Sequence, residues 1–206
     1  MNNDKEQSGE ITSKKKSGIK NILNGLERNE LIEVILELAK ISNKNEQFIK
    51  LFIQGSNKDH RDNIVRDAKS KMKSIFFSRN GFPYDPINLK EARTIVSEHS
   101  KMLKGFPDSI LDLKLYYVEL GIEVMKDWGD MYDSFYNSIG SMLANFCSDL
   151  FYNNKYYSDF SNRIKQIIIT TERVGRGFHE FVLDTITNLE DRLGIDEDED
   201  TLNDNE

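Results

Sequence analysis

Apolar residues along this chain recur every three or four positions and almost nowhere at every second one. In "NELIEVILELAKI" (29–41), Leu31, Ile35 and Leu38 form one stripe, with Ile32, Leu36 and Ala39 beside it. That spacing predicts a helix with a wide apolar face. "NKNEQFIKLFI" (43–53) predicts another, with Asn43 as N-cap, Glu46 three residues on, and Phe48, Ile49, Phe52 and Ile53 as its buried side. A shorter turn or two of helix is expected at "IKNIL" (19–23). The more polar stretch 60–77 places Ile64, Ala68, Met72 and Ile75 on an inner face. "SRNGFPYDP" (78–86) interrupts the pattern, because Asn-Gly and two prolines forbid regular structure.

The pattern resumes at 88–105, where Ala92, Ile95, Val96, His99, Met102 and Leu103 group together, and Gly105 and Pro107 end the helix. Residues 109–129 are apolar almost all round, from Ile110 and Leu111 to Val124 and Met125, which marks a central helix. Its exception is a polar seam of Asp112, Glu119 and Glu123. Gly129 and Asp130 then turn the chain into a helix whose Phe135, Ile139, Met142, Leu143, Phe146 and Leu150 make one unbroken stripe. Gly140 and Ala144, four apart, are expected to let a neighbouring helix approach. Residues 156–175 repeat the period through Phe160, Ile164, Ile167 and Ile168; the β-branched run at 167–171 suits a strand, but its long flanks favour helix. A last helix follows over 178–194.

The fold these elements predict is all-α, a single multi-helix bundle of about seven or eight helices. Residues 1–16 read as a disordered tail, 17–194 as one helical domain with a loop at 78–86, and 195–206 as an acidic disordered tail. The segments on either side of the loop are expected to pack together.

Composition changes this picture in three places. Net charge is -7, but seven of the 35 acids sit in 196–206, so the remaining 28 balance the 28 bases. A neutral body lacks the dense basic face that broad nucleic-acid binding needs, and nucleic acid is not an expected partner. Lys14, Lys15, Lys16 and Lys20 form a small basic cluster at the other end. The single cysteine, Cys147, excludes an internal disulfide and fits a reducing cytoplasm. The first residues lack a signal-peptide layout, and no apolar run reaches the length of about 18 residues that a membrane span requires.

Candidate chemistry is sparse. Glu119 and Glu123 lie one turn apart and share a face with Asp112, which suggests a metal or small-ligand site, yet no Glu-x-x-His occurs. The plainer expectation is that a neighbouring Lys or Arg meets them. Arg-x(4–6)-His, the signature of HEPN-type ribonucleases, occurs at Arg93–His99 and at Arg173–His179. Residues six apart on a regular helix are turned by about 240°, so such pairs converge only across a bend. "RVGRGFH" permits one, and makes Arg173, Arg176 and His179 the alternative catalytic set. His99 lies on an apolar stripe and reads as a core histidine. Cys147, in mid-helix, reads as a small buried hydrophobe. No phosphate loop or Ser elbow is present, and no cofactor is implied. The turn "DWGDMYDSFY" (127–136) gathers Trp128, Asp130, Tyr132 and Tyr136, amphipathic side chains suited to a binding surface.

"EARTI" (91–95), "DLKLYYVELGI" (112–122), "GDMYDSFYNSIGSM" (129–142) and "VGRGFHEF" (174–181) follow one another in an order that resembles a family of small bacterial helical proteins classed only as a domain of unknown function. The resemblance spans roughly residues 15 to 190 and implies an all-helical bacterial cytoplasmic domain. It implies no activity and no cofactor. The function expected is that of a non-enzymatic interaction or accessory protein, whose helical surface holds a protein partner.

Overall fold

A computed structural model describes residues 18–53, 58–77 and 86–195. Among them are nine α-helices and no strand. The helices are α1 (18–24), α2 (Arg28–Ile41), α3 (Asn43–Ile53), α4 (Lys58–Phe76) and α5 (Leu89–Met102), then α6 (Pro107–Trp128), α7 (Asp133–Tyr152), α8 (Tyr157–Thr171) and α9 (Phe178–Leu193). A 3₁₀ turn at Asn154–Tyr156 joins α7 to α8. The all-α expectation holds, and the count of seven or eight is corrected to nine. Ser42, extended at φ -156° and ψ 147°, separates α2 from α3, and α1 stands as a helix of its own. The two expected tails and the greater part of the loop at 78–86 lie outside the described residues, as does Gly55.

The chain divides into two compact units, residues 1–57 and 58–206. In the first, α2 and α3 pack against each other as a helix pair joined by one residue. The Ser42 hydroxyl accepts the Asn45 N–H at 3.1 Å, so Ser42, not Asn43, caps α3. The Asn45 amide then donates to the Leu38 carbonyl at 2.9 Å and fixes the corner. The expected buried side of α3 is not buried: Phe48, Phe52 and Ile53 are exposed, and Leu51 is the residue turned inward. A pair of short helices has one interface, and it cannot cover two wide apolar faces at once.

In the second unit α6 is central and packs against α4, α5, α7 and α8, while α9 lies against α7 and α8. Helix α4, which precedes the loop at 78–86, thus packs with α5 and α6, which follow it. Pro107 opens α6 at its first turn, where a missing N–H costs nothing. Gly129, at φ 80° and ψ -137°, ends it in a conformation that side chains avoid. The α7 stripe is buried as its period requires: Phe135, Ile139, Leu143, Phe146 and Leu150 are fully enclosed, with Met142 close behind. Phe76 of α4, rather than the expected Ile75, fills the space between them and stands edge-on to Tyr117 at 5.1 Å and to Phe135 at 6.4 Å. The β-branched run 167–171 is helical: Ile167 and Thr171 are buried, and the Thr171 hydroxyl returns to the Ile167 carbonyl at 3.0 Å.

Close approach is concentrated at two glycines. A Cβ on Gly121 of α6 would lie 2.3, 2.6 and 3.0 Å from three side-chain carbons of Ile139 in α7. A Cβ on Gly140 of α7 would meet the Phe181 ring of α9 at 2.9 Å. Gly140 therefore does admit a neighbour, whereas Ala144 faces outward. Ile139 has no free space, but Phe181 is 41% exposed and its ring can swing. Gly121→Ala should therefore lower stability by about 1–3 kcal/mol through overpacking. Gly140→Ala should stay within about 1 kcal/mol of the parent, because helix propensity offsets a small ring displacement. Urea midpoints of the two variants check this, and a Gly121→Ala variant as stable as Gly140→Ala would refute the tight α6–α7 contact.

Candidate functional site

Helix α2 has no buried residue, although its sequence is among the most apolar stretches of the chain. Leu31, Val34, Leu38 and Ile41 follow one another at steps of three, four and three, the a/d spacing of a helix that packs along a partner helix. Ile41 is 73% exposed and Phe52, on α3, is 81% exposed. Isolated exposed apolar residues are ordinary; a run of them across two adjoining helices is a binding surface or a liability. A groove of about 490 Å³ runs along α2, with Leu26, Val34, Leu38 and Ile41 as its floor. Glu30, Glu33 and Glu37 edge it. Glu30 accepts the Glu27 N–H at 2.7 Å and so starts the helix, and Glu37 pairs with Lys40 at 2.7 Å. Phe48 and Phe52 stack at 6.3 Å on the neighbouring helix. The site is thus an apolar strip with an acidic margin, about 20 Å long at the rise of an α-helix.

The turn at 127–136 and the turn at 173–179, which the sequence treats as separate candidates, meet. Arg176 donates to Asp130 at 2.7 Å and to Asp133 at 2.5 Å. Its guanidinium also lies 5.8 Å from the centre of the Tyr136 ring. The Tyr136 hydroxyl donates to Asp130 at 3.0 Å. Arg176 takes φ 59°, and Gly177 after it takes φ 70°, a left-handed pair that turns the chain from α8 into α9. Trp128 is half-buried, and Tyr132 reaches the Ile87 carbonyl at 3.5 Å with its ring edge-on to Phe135. The polar groups of this cluster are engaged with one another, so it joins two turns more than it offers open valences.

The alternative catalytic set does not assemble. Arg176 faces Asp130 and Asp133, the His179 ring nitrogen Nδ1 lies 3.0 Å from the Thr171 hydroxyl, and Arg173 is exposed. Arg93 and His99 part company likewise. Nδ1 of His99, a buried residue, lies 2.7 Å from the Ile95 carbonyl, which fixes the proton on that nitrogen, while Arg93 donates to the Ser138 hydroxyl at 2.8 Å.

Glu119 and Asp112 are met by neighbouring cations. Arg163 of α8 grips Glu119 with two parallel bonds, at 2.7 and 2.8 Å, and donates a third to Asp112 at 2.6 Å. Lys69 of α4 adds a bond to Asp112 at 2.7 Å. Glu123 lies beside them and is exposed. Among the described residues no three His, Cys, Asp or Glu side chains are grouped to hold a metal ion. The sequence carried no sign of which cation would meet the seam, because Arg163 is 44 residues from Glu119.

Cys147 is buried, and burial, with a smaller contribution from Glu190, pushes its thiol up to about 12. Burial and the hydrogen bond to Glu190 also raise Tyr157. Both groups favour the neutral form in the fold. Relative to an ordinary thiol value of 9.0, the Cys147 contribution is whole below pH 9 and is lost as pH climbs toward about 12. Melting temperature should therefore fall through that alkaline window. At pH 8 the thiol should resist an aromatic disulfide reagent until denaturant is added, and equal labelling rates for native and unfolded protein would contradict the burial. No protein-family model, no curated protein and no solved structure matches the chain.

Proposed function

We propose that this chain is a non-enzymatic helical interaction protein of the bacterial cytoplasm, and that the first unit is its binding element. The observation that carries the reading is the α2 face, where Leu31, Val34, Leu38 and Ile41 lie in a packing register without a single buried side chain on the helix. The groups able to perform acid–base or nucleophilic chemistry support it from the other side. His99 and His179 are tied to neighbours, Arg163 is held by two carboxylates, and Cys147 is an enclosed neutral thiol. No described helix is long and apolar enough to cross a membrane.

The occupant is an amphipathic helix of a partner protein, with Leu- or Ile-type anchors at three- and four-residue spacing and Lys or Arg along its flanks. Charge selects it. Glu30 and Glu37 are seven residues apart at the position that flanks the a/d stripe, and Glu33 adds to the same margin. A second copy of α2 set antiparallel would bring those carboxylates against one another, and a parallel copy would set them opposite Ile35 and Ser42. Neither arrangement supplies a cation, so self-pairing is disfavoured by the same residues that favour a basic partner.

The test uses the full chain and a designed 21-residue helical peptide with Leu at a and d and Lys at e and g, beside a control with Glu at e and g. Fluorescence anisotropy should show micromolar binding of the Lys peptide, weaker by about tenfold or more for the Glu peptide. Val34→Glu/Leu38→Glu should abolish binding while leaving the helical circular-dichroism signal of the chain in place. Equal affinity for both peptides, no binding of either, or a concentration-dependent dimer that disappears in the double variant would each overturn the proposal.

A further inference from the structure

The second unit carries a groove of opposite character. It is about 470 Å³ in volume, within the range of roughly 300–1,000 Å³ usual for small-molecule sites. Arg93, Lys101 and Lys104 line it from α5 and the turn after it, and Lys114 from α6. Val96 and Met142 form an apolar floor, and Ser97 and Asn145 add polar edges. No acidic side chain lines it. Three of these cations and Ser97 belong to one periodic stripe that begins at Lys90: 90, 93, 97, 101 and 104 recur at three- and four-residue steps as Lys, Arg, Ser, Lys and Lys. Glu91 and Glu98 are carried by the same helix, Glu98 within about 60° of Lys101, but neither lines the groove.

The charges are differently committed. Lys114 pairs with Asp149 at 2.6 Å. Arg93 is held by a neutral partner, since it donates to the Ser138 hydroxyl at 2.8 Å, and that hydroxyl lies 2.8 Å from the buried Tyr117 hydroxyl. Its direction is therefore set by the core, while among the described residues no carboxylate pairs with it. Lys101 and Lys104 form no ion pair among the described residues. The buried Ser100 hydroxyl, also lining the groove, has no hydrogen-bond partner among the described residues. Cations at the end of α5 are partly explained by its dipole, which favours positive side chains in the last turn. The dipole does not account for Arg93 two turns earlier or for Lys114 on a different helix.

We propose that this groove binds a small organic polyphosphate of the nucleoside triphosphate class. Three cations without an ion pair among the described residues call for an anion of several charges rather than a lone carboxylate. Lys101 and Lys104 would take the phosphates, with the Ser97 and Asn145 side chains as further donors. Val96 and Met142 offer the apolar floor on which a flat, uncharged body lies. Arg93 stands at the far end, about 12 Å from Lys101 along α5 with Lys104 in the turn beyond, a span that matches an extended nucleotide and exceeds a free inorganic phosphate. The balanced net charge outside 196–206 distinguishes this pocket from a broad basic face for a nucleic-acid backbone.

Calorimetric titration of the full chain at 0.15 M salt, where exposed charges are screened beyond about 8 Å, separates the sources. The probes are ATP, inorganic pyrophosphate and a mixed-sequence 12-nucleotide RNA. ATP should bind, pyrophosphate should bind several-fold more weakly because it leaves the apolar floor uncovered, and RNA should be weakest. Lys101→Glu/Lys104→Glu should weaken ATP binding by about tenfold or more; because those side chains make no ion pair among the described residues, the melting temperature should fall only by the small amount that reversed charge costs against the α5 dipole. Absence of ATP binding at millimolar concentration overturns the proposal. So does equal affinity for pyrophosphate and ATP, RNA binding tighter than ATP binding, or unaltered ATP affinity in the double variant.

Discussion

Helix α6 can be enclosed only if the polar groups it carries are answered where they stand. Eleven of its residues are buried, so it forms the axis of the second unit. Asp112 and Glu119 ride on the same helix, and a carboxylate drawn toward an apolar interior without a partner is among the costliest arrangements a fold can contain. Arg163 resolves both at once, and Lys69 shares Asp112 from the opposite side. The network is about a third exposed, so its value lies less in net stability than in orientation. It admits one rotation of α8 and one placement of α4 about α6. The buried Tyr117 is satisfied in the same manner, through Ser138 to Arg93, and this ties α5 and α7 to the same axis.

The two units present surfaces of opposite chemistry. In the second unit most apolar side chains are consumed in the core, and its outer surface includes the basic stripe of α5. Arg93 belongs to both regions: its guanidinium closes an internal hydrogen-bond chain and at the same time lines the groove. In the first unit the balance is reversed. Two short helices share one interface, and the residues that would form a core remain outside. A helix pair with Leu51 as the one enclosed residue of α3, and none on α2, has too little buried area to offset the conformational entropy of ordering it.

The helices were legible because their period is strong. The α7 stripe from Phe135 to Leu150 and the all-round apolarity of α6 translate directly into burial. Two features failed to translate for physical reasons. A 3.6-residue period reports that a face is apolar, not that anything lies against it, so the stripes of α2 and α3 read as core when they are surface. Partners distant in sequence leave no periodic trace: Arg163 on Asp112 and Glu119, or Arg176 on Asp130, follow from the packing angles of whole helices. Gly121 is an isolated glycine in a helical run, a mark of close approach like Gly140.

The Arg-x(4–6)-His pairs illustrate the limit of motif spacing. Both occurrences are present in the chain, and both are taken apart by local geometry. Arg93 and His99 lie on a regular helix, where six residues set them on different sides, one toward Ser138 and one toward Ile95. Arg173, Arg176 and His179 do cross a bend, as the glycines allow, but the bend is left-handed at residues 176 and 177 and delivers Arg176 to the carboxylates of the α6–α7 turn. A bend that could have gathered a site instead fastens two turns together. The residues spacing singled out therefore serve the scaffold. The two candidate surfaces emerge from patterns of another kind: an apolar register left uncovered on α2, and a run of cations on α5 with no acid opposite.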